Sequence, residues 1–382
     1  MTMRLGLIAP GFSADEHDWA IPVLQNVVTA LARVHDVHLV ALRYPPGSST
    51  YRLGDVKVRA LGGGRTAGPG RVGLLLRGLA AVLGQARRQP FDVLHAFWGD
   101  EPGFTAAVAG RLLGVPTLVS LMGGELVGLA EIGYGGRLGR LNPLLTRAAL
   151  TLADRVTIGS AYMQRLLAEQ YPQQRCELLS WGVDTARFSP EQEKATGSPL
   201  HAGEIKLLQV AGLSPVKDHR TALLALRHVV ASEPRAHLHL VGEGQAGPQV
   251  QSLAKELRLS GHVTLHGKVD HLALPAYYRA ADLCLLSSRH EAQGMVVLEA
   301  AACGRPTAGT AVGLLPEMTP ACVAVPVGDW LALAEAILAF VRDPDRLRRS
   351  SEAVRAFAVR RYSLSGCLAE IDSLYNSLRN PS

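Results

Sequence analysis

At 382 residues the chain is long for one hydrophobic core, which points to two domains. Apolar residues make up 48% and charged residues 19%, a balance that excludes a disordered chain and fits an Ala/Leu/Val-rich α/β protein. The formal charge of +6 is carried by interspersed basic and acidic residues without basic runs between aromatics, so nucleic-acid binding is not indicated. A mild positive bias fits phosphate-bearing ligands or an anionic membrane surface. Five scattered cysteines without Cys-x-x-Cys spacing read as reduced packing thiols. With no signal-peptide core and no spanning stretch, the expected location is the cytoplasm, a peripheral contact with the inner face of the membrane remaining open.

In chain order, short apolar runs at 5–9, 37–42, 93–96, 117–121 and 155–158 alternate with helical patterns, which predicts a parallel sheet covered by helices. Residues 71–88 form an amphipathic pattern whose Leu face either packs on the sheet or rests on a membrane. A polar, turn-rich stretch at 182–203 reads as a linker, with the boundary placed near 190. The alternation restarts at 205–210, 237–241, 263–266, 283–286 and 306–308, and apolar residues at helical spacing from 364 to 378 predict a closing helix. The expected domains are 1–189, completed by the helix at 364–382, and 190–363.

The segment Glu291-Ala-Gln-Gly294-Met295-Val296-Val-Leu-Glu299 follows a predicted strand and opens a helix. Such a helix start offers free N–H groups and a positive dipole end to a phosphate. Its two carboxylates can accept hydrogen bonds from sugar hydroxyls, and spacing alone equally allows a helix with one capping-region and one surface Glu.

The stretch from Ser287 to Pro306, with its Glu-x7-Glu pair, Gly294 and the trailing Gly304-x-Pro306, resembles the signature of family 4 of the retaining glycosyltransferases. Gly313 and Glu317 resemble that family's Gly-x-x-x-Glu, Trp181-Gly-Val-Asp184 its domain crossing, Leu213-Ser-Pro-Val-Lys217 its lysine-bearing loop and Val241-Gly-Glu-Gly244 its next strand end. The resemblance implies two Rossmann-like domains facing across a cleft, and transfer of a sugar from a nucleoside diphosphate sugar to a hydroxyl acceptor with retention. It implies no cofactor and no metal.

Carried over by position, Lys217 would neutralise the diphosphate, Gly294, Met295 and Val296 would donate backbone N–H groups, Glu299 would hold the ribose and Glu291 the donor sugar. Two positions depart from the family pattern: Gly212 stands where an arginine is usual, with Arg220 and Arg289 as substitutes, and Met122 where a histidine is common.

In the first domain, polar residues cluster after predicted strands, where open α/β sheets place ligands. Gly11 reads as a backbone approach to the donor, and His17, Trp19, His95, Trp98 and Glu125 as an acceptor-facing group. The glycine-rich segment 61–70 lacks a phosphate-loop ending and reads as a surface loop. Asp343-Pro344-Asp345 reads as a helix start rather than a metal motif, and neither zinc spacings nor a Gly-x-Ser-x-Gly elbow occur. The rival readings are a phosphorylase or epimerase on the same plan and a non-catalytic nucleotide-sugar binder.

Overall fold

The computed structural model describes residues 2–190, 198–201 and 203–380. Two compact units form: unit 1 is Met1–Trp181 with Ser365–Ser382, and unit 2 is Gly182–Leu364. Part of the expected linker, residues 191–197 and 202, lies outside the described residues. Residues 182–190 pack with unit 2, ahead of the expected boundary at 190, because Arg355 donates to the carbonyls of Thr185, Phe188 and Ala302 and ties them down.

In unit 1 the elements run β1 (Arg4–Gly11), α1 (Pro22–Ala32), β2 (Asp36–Tyr44), β3 (Ser49–Leu53), β4 (Val56–Ala60), α2 (Gly70–Arg88), β5 (Val93–Phe97), α3 (Glu101–Leu113), β6 (Thr117–Leu121), α4 (Leu141–Leu152), β7 (Arg155–Ile158), α5 (Ala161–Gln170) and β8 (Glu177–Leu178). The sheet order is β3-β4-β2-β1-β5-β6-β7-β8, parallel except for the antiparallel β3–β4 pair. That hairpin and β8 are absent from the sequence expectation. The central strands are buried along nearly their whole length, the behaviour of parallel strands covered on both faces.

Unit 2 comprises β9 (Ile205–Val210), α6 (His219–Ser232), β10 (Ala236–Val241), α7 (Gly247–Glu256), β11 (Val263–Gly267), α8 (Leu274–Ala280), β12 (Leu283–Leu286), α9 (Met295–Ala302), β13 (Thr307–Thr310), β14 (Val323–Val325), α10 (Trp330–Val341) and α11 (Pro344–Arg361). The last helix, α12 (Leu364–Arg379), returns the chain to unit 1 from Ser365 onward. The sheet order β11-β10-β9-β12-β13-β14 starts in the middle and winds outward both ways, so β9 and β12 flank the point where the winding reverses. Leu207, Leu238 and Leu240 meet Leu223, Leu226, Leu333, Ile337 and Phe340 in one apolar core. Asp343 accepts from the amide of Arg346 at 2.8 Å, which makes Asp343-Pro344-Asp345 a helix start. Among the described residues no helix is long and apolar enough to cross a membrane.

Candidate active site

At the carboxyl ends of β9 and β12 the chain is stitched into one corner. After β9 a short 3₁₀ turn, Pro215–Lys217, leads to Asp218, whose φ of 43° is left-handed and whose side chain caps α6 by accepting from Thr221. After β12, Ser287 donates its hydroxyl to the carbonyl of Lys217 at 2.7 Å and accepts from Gln209 at 2.8 Å, and the amide of Arg289 bonds the carbonyl of Val216. These bonds bring Lys217 Nζ to 2.5 Å from Glu291 Oε1, the oxygen that also accepts from Ser288 at 2.7 Å. An ammonium has three donors, and among the described residues only Glu291 takes one from Lys217, which leaves two for another acceptor.

Gly294 stands at the start of α9 with φ 82°, a left-handed conformation that a side chain would strain. The amides of Met295 and Val296 follow, at the end of the helix where intrahelical acceptors are lacking and the dipole is positive. Gly313 closes over this turn: a Cβ there would lie 2.4 Å from the carbonyl oxygen of Gln293, which accepts from the amide of Leu314.

Glu299, one turn further along α9, is only 7% exposed. Its oxygens engage Tyr278 at 2.8 Å and His271 at 3.3 Å, with Phe188 edge-on to both rings. Lys217, Glu291 and the α9 start therefore share one corner, while Glu299 belongs to a buried polar set. Ser288, Tyr278 and His271 were missed in the sequence because nothing in their spacing links them to the carboxylates. A Cβ at Gly212 would meet the Glu243 carbonyl oxygen at 3.7 Å, an ordinary contact. Arg289 leaves the backbone beside Lys217, and Arg220 is exposed on α6.

In unit 1, Gly11 allows close approach to the end of β2, since a Cβ would meet Tyr44 Cβ at 2.9 Å. The following loop is held by Asp18, which accepts from Ala14 and from Tyr44, leaving His17 exposed and Trp19 half-buried. Trp98 adopts φ 77° directly after β5 and packs its indole against Gly123. Glu125 is buried and staples two loops, accepting from the amides of Gly99, Met122 and Gly123. Burial and the neighbouring Asp100 charge raise its pKa to about 7, against three backbone donors that favour the carboxylate.

His95, expected at the acceptor-facing rim, does not reach it. It is fully buried in β5, its Nδ1 2.8 Å from the Tyr375 hydroxyl and its Nε2 2.8 Å from Ser120 Oγ, and burial lowers its pKa to about 3. The expectation took any polar residue near a strand end as rim-facing, whereas His95 lies within the strand and points into the core. A second set escaped the sequence reading altogether: Glu101, buried at the head of α3, is clamped by Arg43 and Arg71, and Arg71 also reaches Asn142.

By its fold, unit 2 is a doubly wound α/β domain, the class in which ligands sit where the strand order reverses, here between β9 and β12. Residues 191–357 match the family "Glycosyl transferases group 1", and residues 20–182 match "Glycosyl transferase 4-like domain". The chain is 32% identical to D-inositol 3-phosphate glycosyltransferase 1 of Catenulispora acidiphila, over 81% of this chain and 78% of the relative. It is 26% identical to N-acetyl-alpha-D-glucosaminyl L-malate synthase of Bacillus anthracis, over 76% of each. The fold is similar to that of a sucrose-phosphate synthase from Thermosynechococcus elongatus (TM-score 0.82, 21% identity, 100% of both chains). It is also similar to Anabaena HepE in complex with UDP and glucose (TM-score 0.75, 16% identity, 98% and 100% of the chains). The chain belongs to the group 1 glycosyltransferases, within family 4, and has their twin-Rossmann GT-B fold. It is a glycosyltransferase.

Proposed function

We propose that this enzyme transfers a sugar from a uridine diphosphate sugar to a hydroxyl acceptor with retention at the anomeric carbon. The observation that carries the reading is the corner of unit 2 where Lys217, Glu291 and the amino end of α9 converge. Negative charge collects on the diphosphate as the glycosidic bond breaks, and a lysine with two spare donors beside a helix start stabilises it there. Uridine is favoured because fold neighbours are complexes with UDP, HepE among them.

In the proposed reaction the acceptor hydroxyl attacks the anomeric carbon on the face from which the diphosphate departs. Its proton passes to the leaving phosphate oxygen, so the products are a glycoside and the nucleoside diphosphate. Glu291 holds a hydroxyl of the transferred sugar, and Glu299 presents its remaining exposed edge to the ribose. Gly11 provides a backbone approach to the donor, and Trp98, Trp19 and His17 line the acceptor side of unit 1, with Glu125 as a brace for the loops. The phosphate charge is met by Lys217 and amides rather than by a metal, and rates are expected to be unchanged by chelator.

Lys217→Ala and Glu291→Ala are each expected to lower the transfer rate by about 10²–10³. Rates equal to wild type in both variants would remove the site assignment. A thermal-shift panel of uridine, guanosine and adenosine diphosphate sugars tests the base, uridine being expected to shift most.

A further inference from the structure

Two stretches of unit 1, residues 56–91 and 132–153, contain no Asp or Glu and together carry ten Lys and Arg. The other 29 cations of the chain face all 33 acidic residues, so the remainder is net −4 and the charge that looks interspersed overall is sorted locally. The stretches meet in space. Arg71 at the start of α2 donates to Asn142 at the start of α4 at 2.5 Å, across the head of α3, whose Glu101 holds Arg71 at 2.7 Å.

Around that bridge, large apolar side chains face outward: Val72 is 55%, Leu76 62%, Leu138 45% and Leu144 63% exposed. Helix α2 already packs Leu74, Ala81 and Val82 inward, so Val72 and Leu76, one turn apart, form a second apolar stripe that the fold does not use. Arg65, Arg140 and Arg147 stand exposed in the same two stretches.

We propose that this rim of unit 1 is a docking surface for an anionic phospholipid bilayer, the aliphatic side chains entering the interface and the arginines meeting headgroup phosphates. Outward Leu and Val set among cations, with the Glu101 carboxylate buried and already paired to Arg43 and Arg71, match that partner in both charge and polarity. A second copy of the chain is disfavoured because a two-fold contact would set cations against cations. A nucleic acid would leave four aliphatic side chains unsatisfied, since such sites use aromatic platforms. Because α3 follows β5 directly, the docked rim lies at the carboxyl edge of the sheet, the edge that carries the loops braced by Glu125.

Co-sedimentation of the full chain with vesicles of phosphatidylcholine alone, and with added phosphatidylglycerol, tests this without any assay of transfer. The protein is expected to pellet with the anionic vesicles only, and less as salt rises. Leu76→Asp with Leu144→Asp, and separately Arg140→Glu with Arg147→Glu, are expected to lower partitioning by at least about tenfold. Circular dichroism and the unfolding temperature of these variants report whether the fold is kept. Failure of the wild type to pellet, equal binding to neutral vesicles, or folded variants that bind like wild type would each overturn the proposal. So would a dimer, seen by sedimentation velocity, that the same substitutions dissolve while vesicles bind neither form.

Discussion

The chemistry of single residues here follows from what surrounds them. Lys217 and Glu291 are 74 positions apart and become partners only because Ser287 and Arg289 anchor their loop to the turn that carries the lysine. His95 shows the opposite outcome, an ionisable side chain made inert by burial. Its folded pKa of about 3 lies below the ordinary value of 6.5, so the unfolded chain binds a proton that the folded chain refuses. Stability from this group is complete above pH 6.5 and is expected to fall progressively as the pH drops below it. His95→Gln should remove that acid slope in denaturant titrations of unit 1, and a slope identical to wild type would show that other groups carry it. Glu299→Ala strands the Tyr278 hydroxyl in a buried site. About 2 kcal/mol of unit 2 stability should be lost, with weaker nucleotide binding by calorimetry.

At the scale of elements, the useful unit is a strand end, its turn and the helix that follows. Helix α9 is short and apolar, and its amino end is aimed by Gly294 in a left-handed conformation and by Gly313 lying against the Gln293 carbonyl. Gly313→Ala combines φ 58° with a Cβ 2.4 Å from a carbonyl oxygen, and is expected to cost about 2–3 kcal/mol and to shift the turn bearing Glu291. Denaturant midpoints and nucleotide affinity should fall together. Equal affinity in a folded variant would mean that the turn does not set the site. The strong alternation of apolar runs made most core strands legible, because parallel strands are apolar on both faces. The β3–β4 hairpin, with mixed polar and apolar residues at a sheet edge, and the two- and three-residue strands β8 and β14 carry too little periodic signal.

For the whole molecule, α12 matters out of proportion to its position at the end of the chain. Cys367, Ile371 and Tyr375 are buried in unit 1, and Tyr375 supplies a hydrogen bond to His95 from 280 residues away. Truncation after Leu364 uncovers this surface, and a loss of about 5 kcal/mol or more in unit 1 is expected, comparable with the stability of a whole domain. Unit 2 should keep its thermal shift with nucleotide in the truncated chain. Loss of that shift would show that the helix supports both units.

By itself the sequence determined the two α/β units, the family and the segment from Glu291 to Glu299, because apolar periodicity and a contiguous motif are local properties of the chain. Only the tertiary structure decided what those residues meet: Glu291 pairs with Lys217, Glu299 turns to Tyr278 and His271, His95 sinks into the core, and Arg71 and Asn142 bring two acid-free stretches to one rim. Burial and pairing depend on contacts between residues far apart in the chain, and residue spacing along one strand or helix does not encode them.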